Sequence, residues 1–314
     1  MTRRSVVLYN PRAVFWTMPL ALVAIGSALD RERCDVRIVD GRLVADPSAA
    51  VLAAIDSSTV AVGMTVLTGA PIRDALAVTR AVQRAHPSLP IIWGGWHPSL
   101  FPEQCVRDAR IQAAVVGQGE RTFAELVERC AAGASPAGVM GGAWPDGDRV
   151  VIEPPRPTED VNRFPAHDYS LIDVPAYFAR KGRRQFDYIS SQGCRFRCEF
   201  CADPFVYGRS WFGLAPARMA EELAAVHARH PFDDVNFQDE TFFTSGARAA
   251  AVAEALLARD LRVTWAATMR ADQGARMDDA VLALCKPHAH VAAAHGLSSV
   301  GARPRHGRDL PGGG

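Results

Sequence analysis

Five short, mostly apolar segments, each followed by a helical stretch, constrain the first half of this chain more than any other feature. They are Ser5–Tyr9, Asp35–Val39, Val60–Met64, Pro90–Trp93 and Ala113–Val116. The helical patterns that follow are Met18–Leu29, Pro47–Ala54, Ile72–His86, and stretches near Pro102–Val106 and Glu120–Ala131. Strands apolar on both faces and joined by helices form parallel βαβ units. The expectation is α/β, with an N-terminal doubly wound parallel sheet. Such sheets bind ligands beyond the carboxyl ends of their strands. Those ends read Asn10-Pro11-Arg12, Thr65 to Gly69, Gly94-Gly95-Trp96-His97 and Gly117-Gln118-Gly119-Glu120. Their glycines allow close backbone approach to a large ligand.

A Gly/Pro-rich connector follows, over about residues 132–176. Its Asp146-Gly147 pair lies between short strand-like runs and predicts a small hairpin. The Pro154-Pro155-Arg156-Pro157 run reads as extended chain. A second βα series has strands at Phe186–Ser190, Asp234–Gln238 and Val263–Thr268. Its helices are Pro216–His230, Ala247–Arg259 and Asp278–Cys285, the first opened and closed by prolines. Three units are half of a six-unit barrel. Beyond Cys285 the pattern collapses into a tail that holds four of the nine histidines and ends in PGGG. A truncated or frame-shifted barrel explains that tail better than a His-rich metal tract. The expected divisions are a sheet domain at 1–131, a linker with a hairpin at 132–180, a partial (β/α) barrel at 181–285 and an irregular tail at 286–314. A half-formed barrel predicts Val263–Thr268 as an edge strand with poor cover.

Composition excludes some partners. A net charge of +1 gives no electrostatic case for nucleic acid or an anionic membrane. The apolar run Val14–Leu29 is broken by Thr17, Pro19, Gly26 and Ser27 and is too short to span a bilayer. It also follows a strand instead of a basic leader segment, so the expected location is cytoplasmic.

The chain has seven cysteines. Cys34, Cys105, Cys130 and Cys285 are scattered through predicted regular structure and read as small buried hydrophobes. Cys194, Cys198 and Cys201 instead crowd into the run YISSQGCRFRCEFC that starts at Tyr188. They are too close for a disulfide framework and well spaced for a metal site. Three thiolates can hold three irons of a [4Fe–4S] cluster and leave the fourth iron open. A structural zinc site would want a fourth ligand at paired CxxC spacing, and the sequence has no second CxxC.

This CxxxCxxC motif after a strand, with the aromatic Phe200 before the last cysteine, resembles the radical S-adenosylmethionine (SAM) superfamily. The resemblance implies that the open iron binds the amino and carboxylate groups of SAM. One-electron reduction would then cleave SAM to methionine and a 5′-deoxyadenosyl radical. It also implies SAM contacts at Phe200, at the acceptors Gln238, Asp239 and Glu240 for the methionyl ammonium, and at Arg270 for the carboxylate. An ion pair with Asp272 is the alternative for Arg270, and Trp265 reads as core. The family's ribose and adenine contacts lie on fourth and fifth barrel strands that the sequence does not show.

The N-terminal sheet resembles the Rossmann-like cobalamin-binding domain of one large radical SAM class. The resembling runs are VGMTVLTGAPI (62–72), WGGWHPSLFPE (93–103) and VVGQGERTF (115–123). Implied cobalamin contacts are Asn10, Thr65, Leu67, Thr68, Gly69, Gly94, Gly95, His97, Gly117, Gly119 and Glu120. The DxHxxG motif that supplies a lower histidine ligand in many cobalamin proteins is absent after the first strand. His97 is read as a loop residue lining the corrin. The class includes radical methylases and the anaerobic magnesium-protoporphyrin cyclase. The implied function is a cobalamin-dependent radical SAM enzyme that methylates an unactivated carbon of a small organic substrate. An electron donor such as flavodoxin or ferredoxin is the implied partner. The alternatives are an oxidative cyclase and a truncated, non-catalytic binding module. A methylthiotransferase is disfavoured, because Cys34, Cys105 and Cys130 lack strand-end placement.

Overall fold

The computed structural model describes residues 3–285. Its first half alternates strand and helix: β1 (Arg4–Asn10), α1 (Leu20–Ala28), β2 (Cys34–Asp40), α2 (Pro47–Ala54), β3 (Thr59–Thr65) and α3 (Ala70–Ala85). β4 (Ile91–Gly94), two short helices α4 (Trp96–Leu100) and α5 (Pro102–Val106), β5 (Ala113–Val115) and α6 (Glu120–Ala131) complete it. The five strands are parallel in the order β2-β1-β3-β4-β5. Strand order reverses between β1 and β3, and that switch point opens a crevice at the carboxyl ends. Alternate residues of each strand feed two cores. Val7, Tyr9, Val62, Met64 and Trp93 pack with α2 and α3 on one face. Val6, Leu8, Ala61 and Ile92 pack with α1 and α6 on the other. Burial on both faces is why these strands read as continuous apolar runs.

The Asp146-Gly147 turn does form a hairpin, β6 (Gly142–Asp146) with β7 (Arg149–Ile152). It is not a detached ornament: β6 pairs antiparallel with β5 and extends the main sheet to seven strands. The connector also contains a helix the sequence reading did not give, α7 (Val174–Lys181). Asp173 caps its first turn, Pro175 sits early, and Gly182 ends it in the left-handed region (φ +65°).

The second series comprises β8 (Gln185–Tyr188), β9 (Ser191–Gly193), α8 (Asp203–Val206), β10 (Trp211–Gly213), α9 (Pro216–Arg229) and β11 (Asp234–Phe237). α10 (Gly246–Ala258), β12 (Thr264–Ala266), α11 (Ala271–Gly274) and α12 (Asp279–Cys285) follow. β8, β11 and β12 form a parallel sheet in the order β12-β11-β8. Phe186, Tyr188, Val235, Phe237 and Trp265 line its apolar face with residues of α9 and α10. The same core takes in Met18, Leu20 and Val23 from the N-terminal half. The opposite face is polar. There Asp187, fully buried, holds the Lys181 ammonium, accepts from the Met18 amide at 2.8 Å and accepts from Asn236 Nδ2 at 3.0 Å.

β12 stands at the edge of this sheet among the described residues, as expected. The expectation of poor cover fails, however. Trp265 is buried under the rings of Phe237, Phe242 and Phe243. Cys34, Cys105 and Cys285 are buried as expected, and Cys130 is half-buried. The expected irregular tail at 286–314 lies outside the described residues.

Candidate functional site

A cavity of about 360 Å³ opens where the strand order reverses and runs across to the second sheet. Asn10 and Thr65, at the ends of β1 and β3, flank the switch point, and Leu67, Gly94, Gly95, Gly117, Gly119 and Glu120 continue the same wall. Ile189 to Gln192, Gln238 and Glu240 form the facing wall. Small residues are required here. A Cβ on Gly63 would come within 2.8 Å of Leu8 and 2.7 Å of Phe123, and one on Gly119 within 2.9 Å of Ile25. Gly95 (φ +92°) would bring a Cβ to 2.8 Å from Thr65 Oγ1.

Three of the sequence-expected cobalamin contacts do not line this wall. Thr68 and Gly69 fall outside it, Gly69 starting α3 (φ +107°). His97 is not a loop residue. It lies in α4, buried, with Nδ1 3.3 Å from Thr68 Oγ1 and its ring against Phe101. Burial holds its pKa below the usual imidazole range.

The apolar run read from Val14 and the helix read from Met18 begin as a loop, Pro11 to Pro19, with the helix starting only at Leu20, and this loop roofs the cavity. Arg42 pins it, donating at 2.6 Å to the carbonyls of Phe15 and Thr17. The guanidinium is itself held by Asp40, which also accepts from Tyr177 at 2.6 Å. Only the strand-end position of this loop could have signalled it.

The cysteine loop starts from a stiff base. β9 pairs antiparallel with β10, and Gly193 (φ +84°) leaves no room for a side chain, since a Cβ would lie 2.3 Å from the Ser210 carbonyl oxygen. Cys194 is buried, and Cys198 and Cys201 are half-buried. Asp203 follows, with Oδ2 accepting from the Cys201 thiol at 3.6 Å. Arg270 reaches back from the end of the third strand. Its Nη1 lies 2.7 Å from Cys198 Sγ and its guanidinium stacks 4.0 Å from the Phe196 ring centre. It also pairs with Asp272 at 2.9 Å, the ion pair that was the alternative for this residue.

The described residues contain no three His, Cys, Asp or Glu side chains converging as ligands of one metal ion. Thiolates on one ion lie within about 4.6 Å of each other, twice a metal–sulfur bond of about 2.3 Å. A [4Fe–4S] cluster instead gives each thiolate its own iron, so its cysteines stand farther apart. Three thiols without a fourth ligand, beside a cation that offsets their charge, suit such a cluster.

The acidic candidates separate in the structure. Asp239 turns away from the cavity. Its carboxylate accepts from the Ser190 amide at 2.8 Å and from the hydroxyls of Ser190 (2.7 Å) and Ser191 (2.5 Å). It ties β11 to the strand that leads to Cys194. Gln238 and Glu240 face the cavity, whereas Phe200 is 66% exposed. Glu240 Oε2 and Glu120 Oε2 are buried with no protein partner. Burial raises the pKa of both, that of Glu240 to about 8, with Asp203 adding to the effect.

The raised Glu240 pKa makes a prediction. Between about 4.5 and about 8 the folded chain holds this proton and the unfolded chain does not, so stability falls as pH rises through that window. Urea unfolding of the apoprotein is expected to give a lower midpoint at about pH 8.5 than at about pH 5.5. Glu240→Gln should flatten the difference, and a difference unchanged by that substitution would contradict the assignment.

Residues 12–127 match the B12 binding domain family. An uncharacterized methyltransferase of Pyrococcus horikoshii is 31% identical over 257 residues, covering 80% of this chain and 55% of the relative. The anaerobic magnesium-protoporphyrin IX monomethyl ester cyclase of Synechocystis is 26% identical over 195 residues, 62% of this chain and 39% of the cyclase. The chain thus spans about half the length of the curated relatives it matches. Among solved structures, the radical SAM methyltransferase TsrM from Kitasatospora setae, with cobalamin and a [4Fe–4S] cluster bound, superposes with a TM-score of 0.78 at 20% identity. That match covers 92% of this chain and 57% of TsrM. The chain therefore shares the fold of TsrM over most of its length, its first sheet lies within the match to the B12 binding domain family, and its cysteine loop follows the first strand of the second sheet.

Proposed function

We infer that this chain comes from a cobalamin-dependent radical SAM enzyme, and that the cavity is where cobalamin and SAM meet. One observation carries the reading. The switch-point crevice of the first sheet and the strand ends beside the cysteine loop open into the same cavity. Cys194, Cys198 and Cys201 would hold a [4Fe–4S] cluster, and Asn10, Thr65, Leu67, Gly94, Gly95, Gly117, Gly119 and Glu120 would hold cobalamin. A cluster with an open iron supplies one-electron reduction of SAM, and cobalamin supplies methyl-group transfer.

The chain's own groups do the remaining work. Glu240 and Gln238 offer acceptors to the methionyl ammonium of SAM, and Glu240 would pass from neutral acid to carboxylate when a cation arrives. Arg270 guards the thiolate side, and its position fits a carboxylate within reach of the cluster. The roof formed by Pro11 to Pro19 keeps water from the cavity. The expected chemistry is methylation of an unactivated carbon of a small organic substrate, in line with the name of the most similar curated relative reported above. The electron would come from a donor such as flavodoxin or ferredoxin.

Anaerobic reconstitution with iron, sulfide, cobalamin and SAM tests the reading. Adding a low-potential reductant is expected to release 5′-deoxyadenosine in proportion to bound iron. A chain that binds neither cluster nor cobalamin would refute it.

A further inference from the structure

The two walls of the cavity are bridged by a buried side chain from the last strand-end loop of the first sheet. Gln118, between the cavity-lining Gly117 and Gly119, is buried and points across to the second half of the chain. Its Nε2 donates to Gln192 Oε1 at 2.6 Å and to the Glu159 carbonyl at 3.2 Å, and its Oε1 accepts from the Glu159 amide at 2.7 Å. Gln192 lies in β9, two residues before Cys194, and the strand is locked against β10. The backbones are in contact at the same place. A Cβ on Gly117 would lie 3.2 Å from the Val206 carbonyl oxygen at the end of α8, and the Trp96 ring meets Tyr207 edge-on at 6.4 Å. The strand-end loops of the first sheet therefore rest directly on the segment that carries the cysteines.

We propose that Gln118 is a positioning residue that sets the cysteine loop at a fixed separation from the cobalamin strand ends, acting through Gln192. The inference rests on the cofactor reading above. A methyl group held over the corrin and a radical formed at the cluster must both reach one substrate. A small misplacement of reacting groups costs orders of magnitude in rate. Asp40–Tyr177 and Asp187–Met18 also cross between the halves, but Gln118 is the bridge that meets the strand leading to the cysteines, so its removal loosens that segment without emptying either site.

Amide hydrogen exchange on the apoprotein tests the ordering directly. Gln118→Ala is expected to speed exchange over residues 193–206 by about tenfold, the loss of a buried hydrogen bond. Gln192→Ala, a half-buried change on the other partner, should do the same. The double variant should exchange no faster than either single one, as for two residues acting as a unit. Gln118→Glu keeps the acceptor for the Glu159 amide and can accept from a rotated Gln192 amide, but it sets a carboxylate oxygen against the Glu159 carbonyl, so it should restore slow exchange only in part. The loaded protein gives a second readout. Cob(II)alamin and the reduced cluster are both paramagnetic, and their dipolar coupling falls with the inverse cube of their separation. Gln118→Ala should bind both at wild-type occupancy yet broaden that coupling. Unchanged exchange and coupling in Gln118→Ala, or additive effects in the double variant, would overturn the inference. A wild-type chain that binds neither cofactor would instead overturn the functional reading, while the exchange data would still decide whether Gln118 orders the loop.

Discussion

Cys198→Ala is expected to bring bound iron from about four per chain to below about one after anaerobic reconstitution. Two thiolates cannot retain a cluster that three hold with one iron already open. The substitution also leaves the Arg270 guanidinium without the sulfur beside it, although Asp272 and the Phe196 ring still hold it. The fold should therefore survive the loss, and circular dichroism should be unchanged. Cys105→Ala is the control. That thiol is buried in α5, its pKa is pushed up to about 12 by burial, and it packs in the core of the first sheet, away from the three loop cysteines. Its variant should keep full iron content. Equal iron in Cys198→Ala and Cys105→Ala would remove the cluster from the site.

Asp187→Ala is expected to destabilise the chain by about 3–5 kcal/mol, the usual cost of leaving a buried charge unpaired. The carboxylate is fully buried and answers three donors: the Lys181 ammonium, the Met18 amide and Asn236 Nδ2. Met18 belongs to the roof loop, Lys181 to α7 and Asn236 to β11, so one side chain ties the roof to the second sheet. Combining Asp187→Leu with Lys181→Met should recover a large part of the loss, because the unpaired ammonium is then gone. The Met18 amide would still lack its acceptor, so recovery stays incomplete. Urea unfolding measures both, and a loss below about 1 kcal/mol for Asp187→Ala would show that the ion pair is dispensable.

Much of the fold was legible in the sequence because burial on both faces leaves a plain mark. Val6, Val7, Leu8 and Tyr9 are all buried, and their run read directly as β1. The start of α9 was legible through chemistry at a single position, Pro216. What escaped was short and polar. β9 is Ser-Gln-Gly, and its strand state comes from pairing with β10, which no local pattern reveals. α4 escaped because Gly94-Gly95 and Pro98 read as a loop, although Pro98 falls in the first turn, where proline is tolerated.

The candidate site divided along the same line. The three cysteines and the glycine-bearing strand ends were visible as spacing and composition. Which of Asp239 and Glu240 faces the cavity was not, since the choice depends on Ser190 and Ser191 of a neighbouring segment capturing the first of them. Gln118 was invisible for a related reason. Its partners Glu159 and Gln192 come close only when the connector folds back over the first sheet.

Metal analysis of the wild-type chain, reconstituted anaerobically with iron, sulfide and hydroxocobalamin and freed of unbound metal, tests the pairing of the two cofactors most directly. About four irons and about one cobalt bound together per chain are predicted, with iron lost selectively in Cys198→Ala. Iron without cobalt, or cobalt without iron, would contradict a chain that holds the cluster and cobalamin side by side.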